Sequence, residues 1–234
     1  MGVMLTLKVI GTGSLGNMYF LDYDGEKLVI DLGMPFKDLL LNIDDINSIV
    51  GCLLDHTHQD HMLPKTYEEV KKIGLKVITP TNTKIGKRYK LGSFEIIPLP
   101  AIHNVECRAY LIRVGGDTVL FATDTRLLPK VNNVKIDYFI VEVNYIERIR
   151  EQAVLSDNES NGLHLNGIYQ NHHSLESAVE YFESLPYKPK KIVTIHRSNS
   201  GLFSESETIA ELSRFAKETV EIAENGKTYE LEEI

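Results

Sequence analysis

Six consecutive residues carry the side chains of this sequence that are best suited to chemistry. They occupy positions 56–61 with the sequence HTHQDH, which spaces four metal-ligand types as H-x-H-x-D-H. Residues two apart in an extended chain point to the same side, so His56 and His58 can bind one metal together. Asp60 and His61 follow and can reach a second metal close by. Imidazole nitrogen combined with carboxylate oxygen suits zinc, and also iron or manganese.

Apolar, strand-like stretches precede the motif and three further candidate ligands. The run 49–54 leads into the motif. Because strand ends can meet at one edge of a sheet, residues that are distant in sequence can converge there. The further candidates and the stretches before them are His103 after 96–102, Asp124 after 119–123, and His196 after 192–195. Each of these residues alone is more simply a core, turn or cap residue, but the full set predicts a metal centre at a sheet edge.

In kind and order these residues resemble the metallo-β-lactamase superfamily, over nearly the whole chain. The opening stretch 10–17, IGTGSLGN, is also similar to the small-residue first turn of that superfamily. Two details look most like its ribonuclease Z and single-domain phosphodiesterase-exonuclease branch. They are Asp124 within ATDT and the pair His172-His173 followed by Ser174. The resemblance implies an α+β fold, a four-layer αββα sandwich with the metals at one edge.

The resemblance also implies two divalent metal ions, with zinc as the first candidate and manganese or iron as alternatives. A carboxylate between two metals is the simplest bridge, and Asp124 is the candidate. A hydroxide shared by the metals would be the nucleophile, and Asp60 is a candidate to orient it. The carried-over ligands are His56, His58 and His103 for one metal, and Asp60, His61 and His196 for the other.

Phosphodiester cleavage also needs a proton donor, because the departing alkoxide is a poor leaving group. His172 and His173 compete for this role. If the stretch aligns with the His-x-Ser form of the related enzymes, the histidine two residues before Ser174, His172, is the donor. If it aligns with a His-Ser form, the donor is His173. The spacing to Ala178 in the following helix favours His172. His173 would then cap or pack near the start of that helix.

The sequence supports a functional role less strongly for several other reactive residues. Glu142 and Asn144 resemble a Glu-x-Asn of the related single-domain enzymes and could orient a ligand imidazole, or form a plain solvated strand end. The cysteines Cys52 and Cys107 have no spacing that suggests a disulfide framework. Cys52 is interpreted as a buried free thiol, Cys107 is not assigned to metal, and both fit a reducing cytoplasm. His164 is expected to be an exposed or locally bonded histidine rather than a ligand.

Length and composition predict one domain over residues 1–234. A chain this long can bury a sizeable core, and 43% hydrophobic with 25% charged residues is typical of a globular protein. The N-terminus lacks the basic region of a signal peptide. No stretch approaches the ~20 apolar residues that span a bilayer. We therefore expect a cytoplasmic protein without a membrane partner, and self-association into a homo-oligomer stays open.

Charge limits the class of partner. The net charge of −8 argues against a basic surface for long duplex DNA. Nucleic-acid chemistry remains compatible, because bound dications add strong local positive charge. The densest basic stretch holds Lys84, Lys87, Arg88 and Lys90. We favour a solvated loop there, and the alternative is a patch that steers phosphate toward the site.

Hydrophobic patterning and turn residues predict the remaining elements. Hairpins are expected at the turn signals 24–25, 115–116 and 225–226. Helical spacing of apolar residues returns after Ser174. The polar segment 147–170 predicts a helix followed by a long loop, which we interpret as a lid or a substrate-contacting segment.

The leading interpretation is a binuclear metal-dependent hydrolase of phosphodiester bonds, in single-stranded nucleic acid or in a nucleotide. A second enzymatic interpretation is hydrolysis of a thioester, lactone or lactam at the same metals. A third is a metal-binding domain that recognises a ligand without turning it over, which the complete ligand set disfavours. The extra histidine pair favours phosphodiesters over thioesters. Transfer-RNA processing is disfavoured, because the chain lacks a long insertion for a flexible RNA-binding arm.

Overall fold

The strands of the computed structural model form two mixed sheets. The structure describes residues 4–156 and 162–231. Within these ranges, the first sheet consists of β1 (Leu5–Gly11), β2 (Met18–Tyr23), β3 (Glu26–Ile30), β4 (Ile49–Leu53), β5 (Val77–Ile78) and β13 (Thr228–Glu230). Their order across the sheet is β13-β1-β2-β3-β4-β5. Because β3, β4 and β5 are parallel, β3 and β4 end at one edge, where the motif begins.

The second sheet places the other candidate ligands at its strand ends. Its described strands are β6 (Tyr89–Leu91), β7 (Phe94–Pro100), β8 (Arg108–Val114), β9 (Asp117–Ala122), β10 (Tyr138–Glu142), β11 (Lys191–Ile195) and β12 (Val220–Ile222). They are ordered β12-β11-β10-β9-β8-β7-β6. The strands β9, β10, β11 and β12 are parallel, so their carboxyl ends share one edge. Asp124 and His196 follow two of these ends.

Helices cover the outer faces of both sheets. The described helices are α1 (Phe36–Leu41), α2 (Pro64–Lys72), α3 (Glu147–Ser156), α4 (Gly162–Asn171), α5 (Leu175–Glu183) and α6 (Glu205–Ser213). Buried side chains of α1 and α2 pack with the outer face of the first sheet. Those of α5 and α6 pack with the outer face of the second. This is the four-layer αββα sandwich that the sequence predicted, and that prediction is confirmed.

The alternation of side chains along each strand separates the central core from the two outer layers. In β2, Leu21 belongs to the core between the sheets, whereas its neighbour Phe20 packs beneath the helices of the first layer. The rings of Tyr19 and Phe121 meet across the two sheets with centroids 5.3 Å apart. Fully burying an apolar side chain of this size stabilises the fold by ~1.5–3 kcal/mol. The strands that carry the candidate ligands are therefore rigidly held.

Two of the predicted hairpins are confirmed. The strands β2 and β3 pair antiparallel across Asp24 and Gly25, whose φ angles of 52° and 79° are those of a tight turn with two left-handed residues. The strands β8 and β9 pair in the same way across Gly115 and Gly116.

The prediction of a last hairpin at 225–226 is wrong. A turn does lie there, with Gly226 at a φ of 81°. However, β12 pairs parallel with β11, whereas β13 pairs antiparallel with β1. The chain thus crosses from one sheet to the other. Turn chemistry fixed the local reversal, but burial of Ile222 and Tyr229 at different sheets fixed the strand partners.

The segment 147–170 differs from the predicted helix and long loop. It contains α3 and also α4, while residues 157–161 lie outside the described ranges. The second helix is stabilised by tertiary contacts, since Ile168 packs with Tyr145 and Leu202 in a small satellite core. Across the described ranges, none of the helices has the length and apolar character that crossing a membrane requires.

Candidate metal centre

The HTHQDH motif forms a tight turn directly after β4. The backbone N–H groups of His61 and Met62 both donate to the His58 carbonyl, at 3.0 and 2.8 Å. His56 and His61 are fully buried, and their ring centroids lie 4.2 Å apart. His58 lies on the outer side, with its ring centroid 4.6 Å from that of His56. The turn therefore presents its side chains as one cluster, although Asp60 and His61 are reached through a turn rather than by an extended chain.

The other predicted ligands reach this cluster from three strand ends. His103 follows β7, Asp124 follows β9, and His196 follows β11. Asp124 and His196 have φ angles of 40° and 53°, in the left-handed region that side chains other than glycine rarely adopt. Such backbone conformations cost about 1–3 kcal/mol and persist where the surrounding structure enforces them. Here they turn both side chains into the cluster.

Asp124 lies between two groups of donor atoms. Its Oδ2 atom is 3.6 Å from His56 Nε2 and 3.5 Å from His61 Nε2. Its Oδ1 atom is 3.0 Å from His196 Nδ1. The side chains form two groups, and within each group one donor atom per residue lies within 4.8 Å of the others. The first group is His56, His58, His103 and Asp124, and the second is Asp60, His61, Asp124 and His196. All seven predicted ligands are brought together in these two groups, which share Asp124.

Three buried polar atoms at the centre of the cluster have no hydrogen-bond partner within the described residues. Within the described residues, no hydrogen bond reaches His56 Nε2, His196 Nε2 or Asp124 Oδ1, although all three atoms are buried. Leaving such atoms unpaired is costly, so they call for a further partner such as an ion or water. The imidazole nitrogens and carboxylate oxygens of this cluster are ligands that suit zinc, and also manganese or iron. The donor set therefore fits divalent metal binding.

Two buried aspartates contact the candidate ligand histidines, and sequence reasoning missed both. Asp55 Oδ1 lies 2.9 Å from His56 Nδ1, and Asp31 Oδ2 lies 2.8 Å from His61 Nδ1. Burial raises the pKa of Asp55, but His61 and His56 more than offset this and hold that pKa well below its usual range. An ionised carboxylate only accepts, so Nδ1 of His56 carries the proton and Nε2 is left free for a metal.

The first loop of the chain supports the same cluster from the other side. Asn17 is fully buried, and its Nδ2 atom lies 3.2 Å from the Asp60 carbonyl and 2.9 Å from His61 Nε2. The Thr12 hydroxyl accepts the His196 backbone N–H at 2.9 Å. At Gly33 an added Cβ would lie 1.7 Å from the Asp60 carbonyl oxygen, so this close approach requires glycine. The first loop and Gly33 thus allow the motif to dock closely.

Glu142 and Asn144 lie beside the cluster rather than at a solvated strand end. Glu142 is fully buried, with Oε1 at 2.7 Å from His172 Nδ1 and 2.9 Å from His196 Nδ1. Asn144 Nδ2 donates to the His196 carbonyl at 2.7 Å. The structure places His172 in the cluster with its ring stacked on that of His196 at 5.5 Å. His173 instead is buried outside the cluster, where its Nδ1 lies 2.9 Å from the Arg126 carbonyl.

Burial lowers the pKa of His172, but the neighbouring Glu142 carboxylate outweighs it, so that the pKa of His172 is raised above its usual value. For His173, burial is the largest effect and its pKa is lowered. The two adjacent histidines therefore differ in environment. His172 holds a proton readily and is partly exposed to the cleft, whereas His173 is neutral and enclosed.

An open cleft of about 270 Å³ lies over the cluster. Part of its lining comes from α4, through Gly167, Ile168 and Asn171. Asn171 also offers its carbonyl to His103 Nδ1 at 3.3 Å. In the described chain the cationic side chains of the stretch 84–90 do not line this cleft. The side chain of His164, expected not to be a ligand, lies outside what the structure describes.

The two-sheet architecture and the solved structures that resemble it define the fold. The chain has the metallo-β-lactamase fold. It is similar to the metallo-β-lactamase fold protein YhfI from Bacillus subtilis, with a TM-score of 0.69 and 18% identity over 97% of this chain and 99% of that one. It is also similar to human tRNase Z, short form, with a TM-score of 0.64 and 12% identity over 97% and 99% of the two chains.

One curated relative matches part of the sequence. The exodeoxyribonuclease YycJ of Bacillus anthracis is 37% identical over 65 residues, which are 25% of this chain and 24% of the relative. The match thus spans about a quarter of either protein. No family model matches the chain.

Proposed function

We propose that this chain is a metal-dependent hydrolase of phosphodiester bonds in nucleic acid or a nucleotide. The observation that carries the proposal is the pair of donor groups that share Asp124, next to a further histidine that neither group needs. Two metals would be held by His56, His58 and His103 on one side and by Asp60, His61 and His196 on the other, with Asp124 between them. Bound there, they would lower the pKa of a water molecule and polarise a phosphoryl oxygen.

The remaining steps fall to side chains of the chain itself. Asp60 is half-exposed and lies in the cleft wall, with Oδ2 at 3.7 Å from His196 Nε2. A carboxylate there can accept a proton or a hydrogen bond from the attacking water and orient it toward phosphorus. Asp31 and Asp55 keep the ring orientations of the motif fixed, which preserves the geometry of attack.

His172 is the proposed proton donor to the leaving oxygen. Its Nδ1 atom is held by Glu142, so its Nε2 atom is the one available to the cleft. A protonated imidazole at this place can donate to the departing alkoxide, which otherwise leaves poorly. Thioester cleavage needs an acid of this kind less strongly, because a thiolate leaves without being protonated. The histidine therefore favours a phosphodiester over a thioester substrate.

Similarity to known proteins supports the same class of substrate. The partly matching relative is an exodeoxyribonuclease, and a protein of the same fold is a tRNase. Both of these names refer to proteins that cleave phosphodiester bonds in nucleic acid.

The test compares three substrates on metal-loaded protein: bis-p-nitrophenyl phosphate, nitrocefin and a glutathione thioester. We expect the phosphodiester to be hydrolysed fastest, a chelator to abolish the rate, and Asp124→Asn to lower it by at least about a hundredfold, as for loss of a group that acts on the reacting centre. Glu95→Gln, far from the cluster on β7, is the matched carboxylate control and should retain the wild-type rate. Efficient turnover of nitrocefin or the thioester alone would overturn the assignment, and retained metal with no turnover would favour a binding domain.

A further inference from the structure

Two arginines differ from all the others in this protein. The sequence has eight arginines, and all of them lie in the described ranges. Six have a carboxylate within 4.0 Å, namely Arg88, Arg108, Arg113, Arg148, Arg197 and Arg214. Within the described residues, Arg126 and Arg150 have none. Their charge is thus not paired with a carboxylate of the described residues, in a chain whose net charge is −8.

Both of these arginines are held by the same aromatic ring. The guanidinium carbons of Arg126 and Arg150 lie 4.9 and 4.8 Å from the ring centroid of Tyr169. Arg126 also donates from Nη2 to the Tyr169 hydroxyl at 3.2 Å. The Nε atom of Arg150 is buried and has no acceptor in the described part of the chain. Cation–π contacts fix the positions of the two groups without neutralising their charge.

This arginine pair stands beside the cleft. Arg126 follows Asp124 by two residues, its backbone N–H donates to the Ile102 carbonyl, and its side chain is exposed. Tyr169 lies on α4, the helix that forms the cleft wall through Gly167 and Ile168. The pair thus contacts the helix that also lines the cleft.

We propose that Arg126 and Arg150, positioned by Tyr169, bind a backbone phosphate of a single-stranded nucleic acid whose neighbouring linkage is the one cleaved. This inference rests on the proposed function. Guanidinium groups offer planar sets of donors that match phosphate oxygens. Two fixed like charges repel each other, and an anion between or over them removes that cost. A nucleic-acid strand carries such a phosphate at every linkage. A small diester has one phosphate, which is the group that is cleaved, and so has none left for the arginines.

The experiment compares a six-residue oligo-dT with thymidine 5′-p-nitrophenyl phosphate, which carries one phosphate only. The variants are Arg126→Gln and Arg150→Gln. Arg148→Gln is the matched control, because Arg148 lies on the same helix as Arg150 but pairs with Glu207 at 2.9 Å. We expect each test variant to raise KM for the oligonucleotide about tenfold. The ratio of kcat/KM for oligonucleotide to that for the small ester should fall by the same factor, and the control should leave the ratio unchanged.

Salt dependence and binding separate this inference from the proposed function. The slope of log affinity for the oligonucleotide against log salt should decrease by roughly 0.7 for each phosphate that a variant no longer neutralises. Fluorescence anisotropy measures this affinity even if no substrate is turned over, so failure of the proposed function would not hide the result. An equal defect on both substrates would place the arginines at the scissile group and overturn the inference. Unchanged affinity and an unchanged ratio in both variants would overturn it as well.

Discussion

Glu142 Oε1 lies 2.7 Å from His172 Nδ1, and the carboxylate is fully buried. Burial raises the pKa of Glu142, but His172 and His196 more than offset this, so that the pKa lies below its usual value. The same oxygen is 2.9 Å from His196 Nδ1. One ionised carboxylate thus fixes the ring of the proposed proton donor and that of a proposed metal ligand.

Removing the charge of Glu142 should affect both histidines. We expect Glu142→Gln to weaken metal binding by about 10–100-fold, as is typical when the partner of a ligand histidine is removed. Competition with a chromophoric chelator measures this affinity. Glu95→Gln changes a half-exposed carboxylate that pairs with Arg113 and should leave the affinity as it is. Unaltered affinity in Glu142→Gln would show that Glu142 does not hold His196 for a metal.

The adjacent histidines provide a test of the proton donor. We expect His172→Ala to leave metal content nearly intact and to slow cleavage of alkyl esters much more than that of p-nitrophenyl esters, because p-nitrophenolate leaves with little protonation. A loss of about 10²–10⁴-fold on the alkyl esters would be typical of a general acid. Rates on matched ester pairs measure the difference.

His173→Ala is the control for that prediction. Since His173 is buried outside the cluster, its removal should lower stability without dependence on the leaving group. Loss of metal in His172→Ala would make His172 a ligand instead. A larger, leaving-group-dependent defect in His173→Ala would show that the donor is the other neighbour.

Gly167 lowers the stability of α4, and no close packing contact requires a glycine at this position. An added Cβ would meet no heavy atom within 4 Å among the described residues, and φ is not in the left-handed region. Alanine in a helix interior is more stable than glycine by about 0.8–1 kcal/mol. Because Gly167 lines the cleft, we expect Gly167→Ala to raise the free energy of unfolding by that amount and to lower kcat/KM for bulky substrates. Denaturant unfolding and paired kinetics measure both.

Gly74 is the opposite case and serves as the control. It also has open space around its Cβ position, but its φ is 83°, a conformation that alanine adopts at a cost. Gly74→Ala should therefore destabilise the protein and leave kcat/KM unchanged. A destabilised Gly167→Ala would point to a packing role for that glycine rather than to space for substrate.

Cys52 predicts a pH dependence of stability. Burial raises the pKa of its thiol to about 12. The folded state therefore binds the thiol proton more tightly than the unfolded state. The resulting contribution of Cys52 to the free energy of unfolding is fully present below the unfolded pKa and is lost as pH rises above it. Starting from the ordinary thiol pKa of 9.0, replacing Cys52 by alanine should make the free energy of unfolding less sensitive to pH, by about 1.4 kcal/mol between pH 7 and 10. Identical pH profiles of the two proteins would contradict this.

Sequence reasoning reached the residues that local signals identify. The motif and the apolar runs before His103, Asp124 and His196 sufficed to select the seven residues that the structure brings together. The outer partners Asp31 and Asp55 were missed because their roles arise from the pairing of β3 with β4. A signal for Asp31 was present, since it follows the apolar end of β3 as the other candidates follow theirs.

Features that depend on tertiary contacts were also missed. The helix α4 has weak amphipathic spacing and a glycine in its interior, so its existence follows from packing of Ile168 rather than from its own sequence. The basic stretch 84–90 was considered as a phosphate-steering patch because its charges are close together in sequence. The isolated Arg126 and Arg150 meet only through Tyr169, and no sequence spacing indicates that contact.

Metal content tests the central claim most directly. Seven candidate ligands with Asp124 shared between two groups predict two divalent metals per chain, and elemental analysis of carefully loaded protein should approach that ratio. Asp124→Ala should lose at least one of the two, whereas Glu95→Gln should retain both. Wild-type protein that never exceeds trace metal, under conditions in which it remains folded, would contradict the account.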